Sequence, residues 1–289
     1  MSSLKVWVTG SRPRTLPAAI APVLVGTALI KRDHHGINWL NAFMALVVSL
    51  LLQIAVNYSN DYSDGVRGTD NNRVGPTRLV ASGLASAKAV KKAAFICFAV
   101  AAGFGIVLAA RTSWWLVVIG AVSIVAAWTY TGGKHPYGYS GFGEISVFVF
   151  FGLVATIGSY VVQSHKVSWQ SFLVAVPVGA LSCSLLAINN LRDLPKDSLV
   201  GKRTLAVRMG DKRARQMFIG LLVLAHLLAI AAAFITPWTL VTVLFIPITL
   251  NILKGIRAGA KGAELIPMLG QVGKLQLFLS TSLAIALLI

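Results

Sequence analysis

The chain has 289 residues, of which 56% are hydrophobic and 12% charged, with a mean hydropathy of +0.75. That is too apolar for a soluble domain and marks an all-α, polytopic membrane protein. Its 26 basic residues against 9 acidic ones give a net charge of +17, yet the bases lie in loops between apolar runs and form no stripe on a recognition fold, which argues against nucleic acid as a partner.

Apolar runs near the roughly 20 residues that cross a bilayer predict nine transmembrane helices around a central cavity. The first, 15–30, follows Lys5, Arg12 and Arg14, carries Pro17 and Pro22, and lacks a small-residue cleavage site, so it is expected to be a retained helix. The second, 39–57, runs out into Asn57-x-x-Asn60-Asp61-x-x-Asp64-x5-Asp70. The third and fourth, 92–110 and 114–130, lead into a loop that carries Lys134 between Tyr130 and Tyr139. The fifth spans 142–162, and the sixth, 170–191, runs out into Asn189-Asn190-x-x-Asp193-x-x-x-Asp197. Helices at 216–235, 238–253 and 272–289 complete the chain. Cys97 and Cys183 fall inside apolar runs and read as packing residues.

Cytoplasmic loops carry the excess of Lys and Arg. With a cytoplasmic N-terminus, the external side keeps only Lys31, Arg32, Arg111 and Lys166, leaving 22 of the 26 bases inside, and both aspartate clusters face the cytoplasm. Each cluster is followed by related text, Gly75-Pro76-Thr77-Arg78-Leu79-Val80 and Gly201-Lys202-Arg203-Thr204-Leu205-Ala206-Val207. This suggests a weak internal repeat, helices 1–4 and 5–8 plus a ninth, within one transmembrane domain spanning 1–289.

Five of the nine acids lie in these two clusters, at the membrane edge where ionised groups are costly and functional by default. Residues three or four apart share a helix face, so Asn57, Asp61 and Asp64 align, as do Asn189, Asp193 and Asp197. Such oxygen donors suit Mg²⁺ with positions left for phosphate oxygens. The expected metal ligands are Asp61, Asp64, Asp70, Asp193 and Asp197 with Asn57 and Asn60, and Asp61, Asp64, Asp193 and Asp197 are the expected catalytic set. Arg67, Arg73, Arg78, Lys196 and Lys202, interleaved with these carboxylates, suit a diphosphate. Glu144 and Glu264 are expected to pair with loop bases. A transporter using the same carboxylates is the competing reading, although transport favours groups near the bilayer midplane.

Asn60-Asp61-x-x-Asp64-x5-Asp70 together with Asn190-x-x-Asp193-x-x-x-Asp197 resembles the two aspartate signatures of the UbiA superfamily of intramembrane prenyltransferases, with a longer final gap in the first cluster. Arg12-Pro13-Arg14-Thr15-Leu16-Pro17, the stretch Asn57 to Gly65, Thr131-Gly132-Gly133-Lys134-His135-Pro136-Tyr137-Gly138-Tyr139 and Thr204-Leu205-Ala206-Val207-Arg208 resemble the MenA type of that superfamily. The resemblance implies Mg²⁺-dependent transfer of a polyprenyl group from polyprenyl diphosphate to 1,4-dihydroxy-2-naphthoate, with loss of the carboxylate, giving demethylmenaquinol at a bacterial plasma membrane. Tyr130, Tyr137 and Tyr139, with Asn189 and Asn190, would line the acceptor or prenyl pocket, and Lys134 would engage phosphate. A relative prenylating another aromatic acceptor is the nearest enzymatic alternative.

Overall fold

The computed structural model describes residues 3–33, 36–69 and 77–289. The chain order is α1 (Ser3–Ser11), α2 (Pro17–Leu29), α3 (Trp39–Arg67), α4 (Ala87–Arg111), α5 (Trp115–Thr129), α6 (Gly143–Ser164), α7 (Trp169–Leu199), α8 (Leu205–Phe234), α9 (Pro237–Arg257) and α10 (Gly262–Leu288), with no strand among the described residues. Among these, α3, α4 and α6 to α10 are seven helices long and apolar enough to cross a membrane. The expected first span, 15–30, falls on Pro17–Asp33, which is bent by 56° against Leu4–Thr15, and the expected fourth, α5, is only 15 residues long. Asp70 and Arg73 lie outside the described residues.

Side-chain caps start several of these helices. Asn38, Ser86, Ser168 and Thr204 accept from the backbone N–H three residues on, at the heads of α3, α4, α7 and α8, each cap contributing about 1 kcal/mol. Two helices run past their apolar stretches. α3 continues to Arg67 and stops at Gly68, whose left-handed backbone (φ 72°) closes the last turn. α7 continues through Pro195 to Leu199. Both extensions carry the aspartates, so the polar turns remain helical and aim their side chains into the bundle.

α7 is the central post. Its apolar window is 78% buried, against 22% for α3 and 28% for α4, whose outer faces are left for lipid. In a membrane, close helix contact depends on small residues rather than on hydrophobic driving force. The π-helical stretch Phe148–Val154 of α6 meets α7 at Gly152 and Gly179, where a Cβ on Gly152 would stand 2.5 Å from the Gly179 Cα. α2 meets α6 in the same way, because a Cβ on Gly26 would press into the Thr156 carbonyl oxygen.

Exposed Trp39, Trp114, Trp115, Trp169 and Trp238 all lie at helix ends remote along the chain from the aspartate turns of α3 and α7. That is the place of an interfacial aromatic belt.

Gly26→Val is expected to destabilise the protein in detergent by about 1–3 kcal/mol through overpacking. Gly120→Ala, at a position with open space around the missing Cβ, should leave the unfolding temperature unchanged. Thermal unfolding of both variants checks this, and equal behaviour would mean that the α2–α6 contact is not tight.

Candidate active site

The ends of α3 and α7 face each other across a polar cavity of about 540 Å³. α3 supplies Asn60 and Asp64, one turn apart, and α7 supplies Asn189, Asn190, Asp193 and Asp197. The two sequence clusters are thus walls of one cavity. Arg78, Arg192, Lys196 and Lys202 complete it, with Tyr130 and Tyr139 from the α5–α6 loop and Arg12 and Arg14 from the α1–α2 bend.

Asp64 is the hub. It is 3% exposed; Tyr139 Oη donates to its Oδ1 at 2.5 Å, and Lys202 Nζ lies 3.3 Å and Arg78 Nη2 3.9 Å from its Oδ2. Lys202 also sits 4.5 Å from the Tyr139 ring centroid, a cation–π contact. Burial raises the Tyr139 pKa above its ordinary value, and the neighbouring Asp64 carboxylate raises it further. The phenol therefore stays a donor at every pH below about 10, and its bond to Asp64 is lost only as pH rises through the higher folded value. Tyr130 and Tyr137 are raised too, chiefly by burial.

Across the cavity, Asp193 accepts a two-pronged pair from Arg192, Nε and Nη2 each 2.7 Å from its oxygens. Arg192 Nη1 is buried and has no hydrogen-bond partner among the described residues. It is a guanidinium donor left over at the wall of a cavity rich in cations, which suits a phosphate oxygen.

Several expected site residues are placed elsewhere. Asp61 is turned one residue, about 100°, around α3 from Asn60, and its oxygens accept from Leu79 N at 2.8 Å and Val80 N at 3.0 Å. It anchors the segment that carries Arg78 and does not line the cavity. Asn57 donates to Ser11 O at 2.8 Å and Thr15 Oγ1 at 3.0 Å, pinning the α1–α2 bend rather than facing the aspartates. Arg67 donates to the carbonyls of Thr131 and Gly133 and so clamps the α5–α6 loop. Lys134 is exposed and lines neither cavity, because its loop turns outward at Gly133. Glu144 meets no loop base among the described residues; Asn190 Nδ2 donates to its Oε1 at 2.9 Å. Arg12, Arg14 and Arg192 are cavity residues to which the spacing argument gave no role. Arg12, in a left-handed conformation (φ 52°, ψ 72°), donates to Asn57 O at 3.3 Å.

A second cavity, of about 740 Å³ and mainly apolar, adjoins the first. It runs between α2, α3, α5 and α6 as far as Trp115, His165 and Lys166 near the opposite helix ends. Arg12, Thr15, Asn60, Tyr130, Leu185, Leu186 and Asn189 line both cavities, so the two share a wall at the level of the aspartate turns. Tyr137 lines only the apolar one.

Among the described residues no three carboxylate, histidine or cysteine side chains converge closely enough to cage a metal ion. The donors nevertheless fit Mg²⁺. They are hard oxygens from facing walls, and Mg²⁺ is commonly held by one or two carboxylates plus substrate phosphates rather than by an all-protein cage.

Residues 19–263 match the model of the UbiA prenyltransferase family. The chain is 48% identical to the 1,4-dihydroxy-2-naphthoate octaprenyltransferase of Mycobacterium tuberculosis, over 99% of this chain and 98% of that one, and 46% identical to the enzyme of the same name from Mycobacterium leprae, over 94% and 92%. Its fold is similar to that of a UbiA homologue from Archaeoglobus fulgidus bound to DMAPP and Mg²⁺, with a TM-score of 0.70, 15% identity and 98% of each chain covered.

The geometry separates two aspartates that sequence spacing groups together. Asp61→Asn replaces an acceptor of two backbone N–H groups by an amide with one oxygen, and should lower stability by about 1–3 kcal/mol. Asp64→Asn keeps an oxygen for Tyr139 but leaves Lys202 and Arg78 without their counter-charge, so it should retain the fold at a lower unfolding temperature and lose affinity for a prenyl diphosphate. Unfolding curves and ligand titration of both variants check this; an Asp61→Asn protein of unchanged stability would remove the anchoring role.

Proposed function

The chain belongs to the UbiA prenyltransferase family, and we propose that it transfers a polyprenyl group from its diphosphate to 1,4-dihydroxy-2-naphthoate, with loss of the acceptor carboxylate, to give demethylmenaquinol. The observation that carries this reading is the shared wall between a polar cavity lined by Asp64, Asp193, Asp197, Arg78, Arg192, Lys196 and Lys202 and an apolar cavity of about 740 Å³. Such a pair of compartments fits an amphiphile with a diphosphate head and a hydrocarbon tail. Each buried methylene of that tail contributes about 0.8 kcal/mol, so the tail favours the apolar side and sets the allylic carbon near the junction. The choice of acceptor rests on the names of the mycobacterial relatives.

Breaking the allylic C–O bond leaves a diphosphate whose negative charge grows toward the transition state, where fixed positive groups act most strongly. Arg78, Arg192, Lys196 and Lys202 stand around that position. Mg²⁺, when bound, would supply further charge neutralisation of the leaving group, and Asp64, Asp193 and Asp197, with the Asn60 and Asn189 amides, are the residues that would hold it. Tyr130 lines both cavities at their junction, where an aromatic ring can stabilise the developing allylic cation. The electron-rich naphthoate ring then attacks the cation.

The domain is a single transmembrane unit in a bacterial plasma membrane. Its N-terminus and polar cavity face the cytoplasm, a reading supported by the bias of Lys and Arg toward that side.

Purified protein supplied with Mg²⁺, a polyprenyl diphosphate and a panel of aromatic acceptors should prenylate dihydroxynaphthoate with release of carbon dioxide and leave 4-hydroxybenzoate largely untouched, as read by product mass. Equal turnover of both would leave only the family assignment. Asp64→Asn and Asp193→Asn should each lower the rate by roughly 10²-fold or more, whereas Lys88→Gln should not; near-normal turnover by both aspartate variants would remove the metal–diphosphate clamp. Single cysteines at Ser198 and Ser113 should be labelled from the cytoplasm and from outside, respectively. The reverse pattern would invert the topology.

A further inference from the structure

Glu144 is a carboxylate that the chemistry above does not use, and its setting is unusual. It lies in the first turn of α6, is 6% exposed, and forms no ion pair among the described residues. Its Oε2 is buried without a hydrogen-bond partner among the described residues, while Oε1 accepts from Asn190 Nδ2 at 2.9 Å. Cys183 Sγ donates to the Glu144 carbonyl oxygen at 3.1 Å, which fastens this turn of α6 to α7 two helical turns before Asn190. A buried carboxylate without a cation is costly. Packing alone would be served by a neutral residue, so the position calls for another explanation.

The chemistry of the pair supplies one. In this pair a Glu144 oxygen accepts from the Asn190 NH₂ group, so that arm of the amide faces Glu144. The amide is thereby held in one orientation, with its carbonyl oxygen on the other arm, and Asn190 lines the polar cavity. Glutamine at 144 would not impose this choice, because two facing amides can turn over together. A carbonyl oxygen here repels the oxygens of a diphosphate and attracts a donor. Asn190 sits almost a full helical turn before Asp193 on α7, toward the apolar side of the clamp. It also lies beside the level of Tyr130, which lines both cavities and whose hydroxyl stands 3.1 Å from where a Cβ on Gly143 would be. A neutral acceptor at that depth matches a neutral hydroxyl.

We propose that Glu144 is a positioning residue, and that through it Asn190 presents its carbonyl oxygen to a ring hydroxyl of the hydroxyaromatic acceptor, orienting the ring against the allylic carbon. This rests on the prenyl-transfer reading. As the ring gives up electron density its hydroxyl becomes a stronger donor, so the contact tightens toward the transition state, and the carboxylate behind the amide polarises it in the same direction.

Steady-state kinetics with dihydroxynaphthoate and with its mono-O-methyl ether at that hydroxyl test the proposal, alongside the KM for the prenyl diphosphate and the Mg²⁺ half-saturation. Wild type should prefer the free hydroxyl by roughly tenfold, the effect of one hydrogen bond in a closed site. Asn190→Ala should abolish that preference, and Glu144→Ala should raise the acceptor KM by roughly fivefold as the side chain loses its fixed rotamer. In both, the prenyl diphosphate KM and the Mg²⁺ requirement should stay within about twofold. Glu144→Gln, which can accept from Nδ2 but can also turn over with the facing amide, should fall between wild type and Glu144→Ala in acceptor KM, and Glu144→Ala combined with Asn190→Ala should be no worse than Asn190→Ala alone. If Glu144→Ala does not fold, the hydroxyl preference of Asn190→Ala and the acceptor KM of Glu144→Gln still decide.

An Asn190→Ala enzyme that keeps the wild-type preference for the hydroxyl overturns the proposal. So do additive losses in the double variant, or a defect confined to prenyl diphosphate and Mg²⁺, which would place Asn190 on the metal side. A wild-type enzyme that prenylates other acceptors but not dihydroxynaphthoate overturns the reading beneath it as well.

Discussion

A carboxylate at the edge of an apolar bundle has to be neutralised by partners, and the way Asp64 meets that demand organises the cytoplasmic end proposed for this protein. Asp64 rides on the last turns of α3. Its partners come from three separate stretches of chain: Tyr139 from the α5–α6 loop, Lys202 from the α7–α8 connection, and Arg78 from the segment before α4. One buried charge therefore draws three loops over the cavity. Arg67, clamping the carbonyls of Thr131 and Gly133, and Asp61, holding the N–H groups of Leu79 and Val80, brace two of those loops from outside. The cations that pair with Asp64 are also the ones a diphosphate needs, so the unliganded pairing and the liganded one draw on the same groups.

The second organising feature is depth. The charged groups of the site lie at one end of the bundle, and the cavity turns mainly apolar beyond Asn60, Tyr130 and Asn189. Water and anions are stabilised on one side of that level, and hydrocarbon on the other. Close helix packing at Gly26 against α6 and at Gly152 against Gly179 keeps the far wall tight, while α4 and α5 offer thin, lipid-facing cover on the other side. Buried α7 is the rigid element shared by both compartments, which gives the residues along one of its faces, from Ser182 through Asn189 to Asp197, fixed heights relative to both.

Sequence alone determined the class, the places of the apolar runs though not the ends of the helices, which extend up to about three turns beyond them in α3, α8 and α10, and the two polar turns that form the site, because these depend on local properties: runs of apolar residues, the scarcity of acids, and the three-to-four spacing of a helix. The same spacing put Asp61 on one face with Asp64, whereas the cavity is lined by Asn60 and Asp64. Adjacent residues differ by about 100° around a helix, and only the neighbours packed on each side say which one faces the cavity. Asn57 shares a face with Asp64, yet the α1–α2 bend covers it and takes its amide.

The basic residues were harder to read for a related reason. Arg67 and Lys134 stand next to site residues in sequence, but Arg67, on the last turn of α3, gives its guanidinium to the carbonyls of Thr131 and Gly133, and exposed Lys134 follows its loop outward. Arg12, Arg14 and Arg192 reach the cavity because the bend at residue 16 folds the N-terminal helix back and because Arg192 lies flat along Asp193. The partnership of Glu144 with Asn190 joins residues 46 apart in sequence, and no local pattern contains it. Composition and periodicity fix which side chains a segment has and which face they share; only packing between segments decides what stands opposite that face, and so which of those side chains meet a ligand and which hold the protein together.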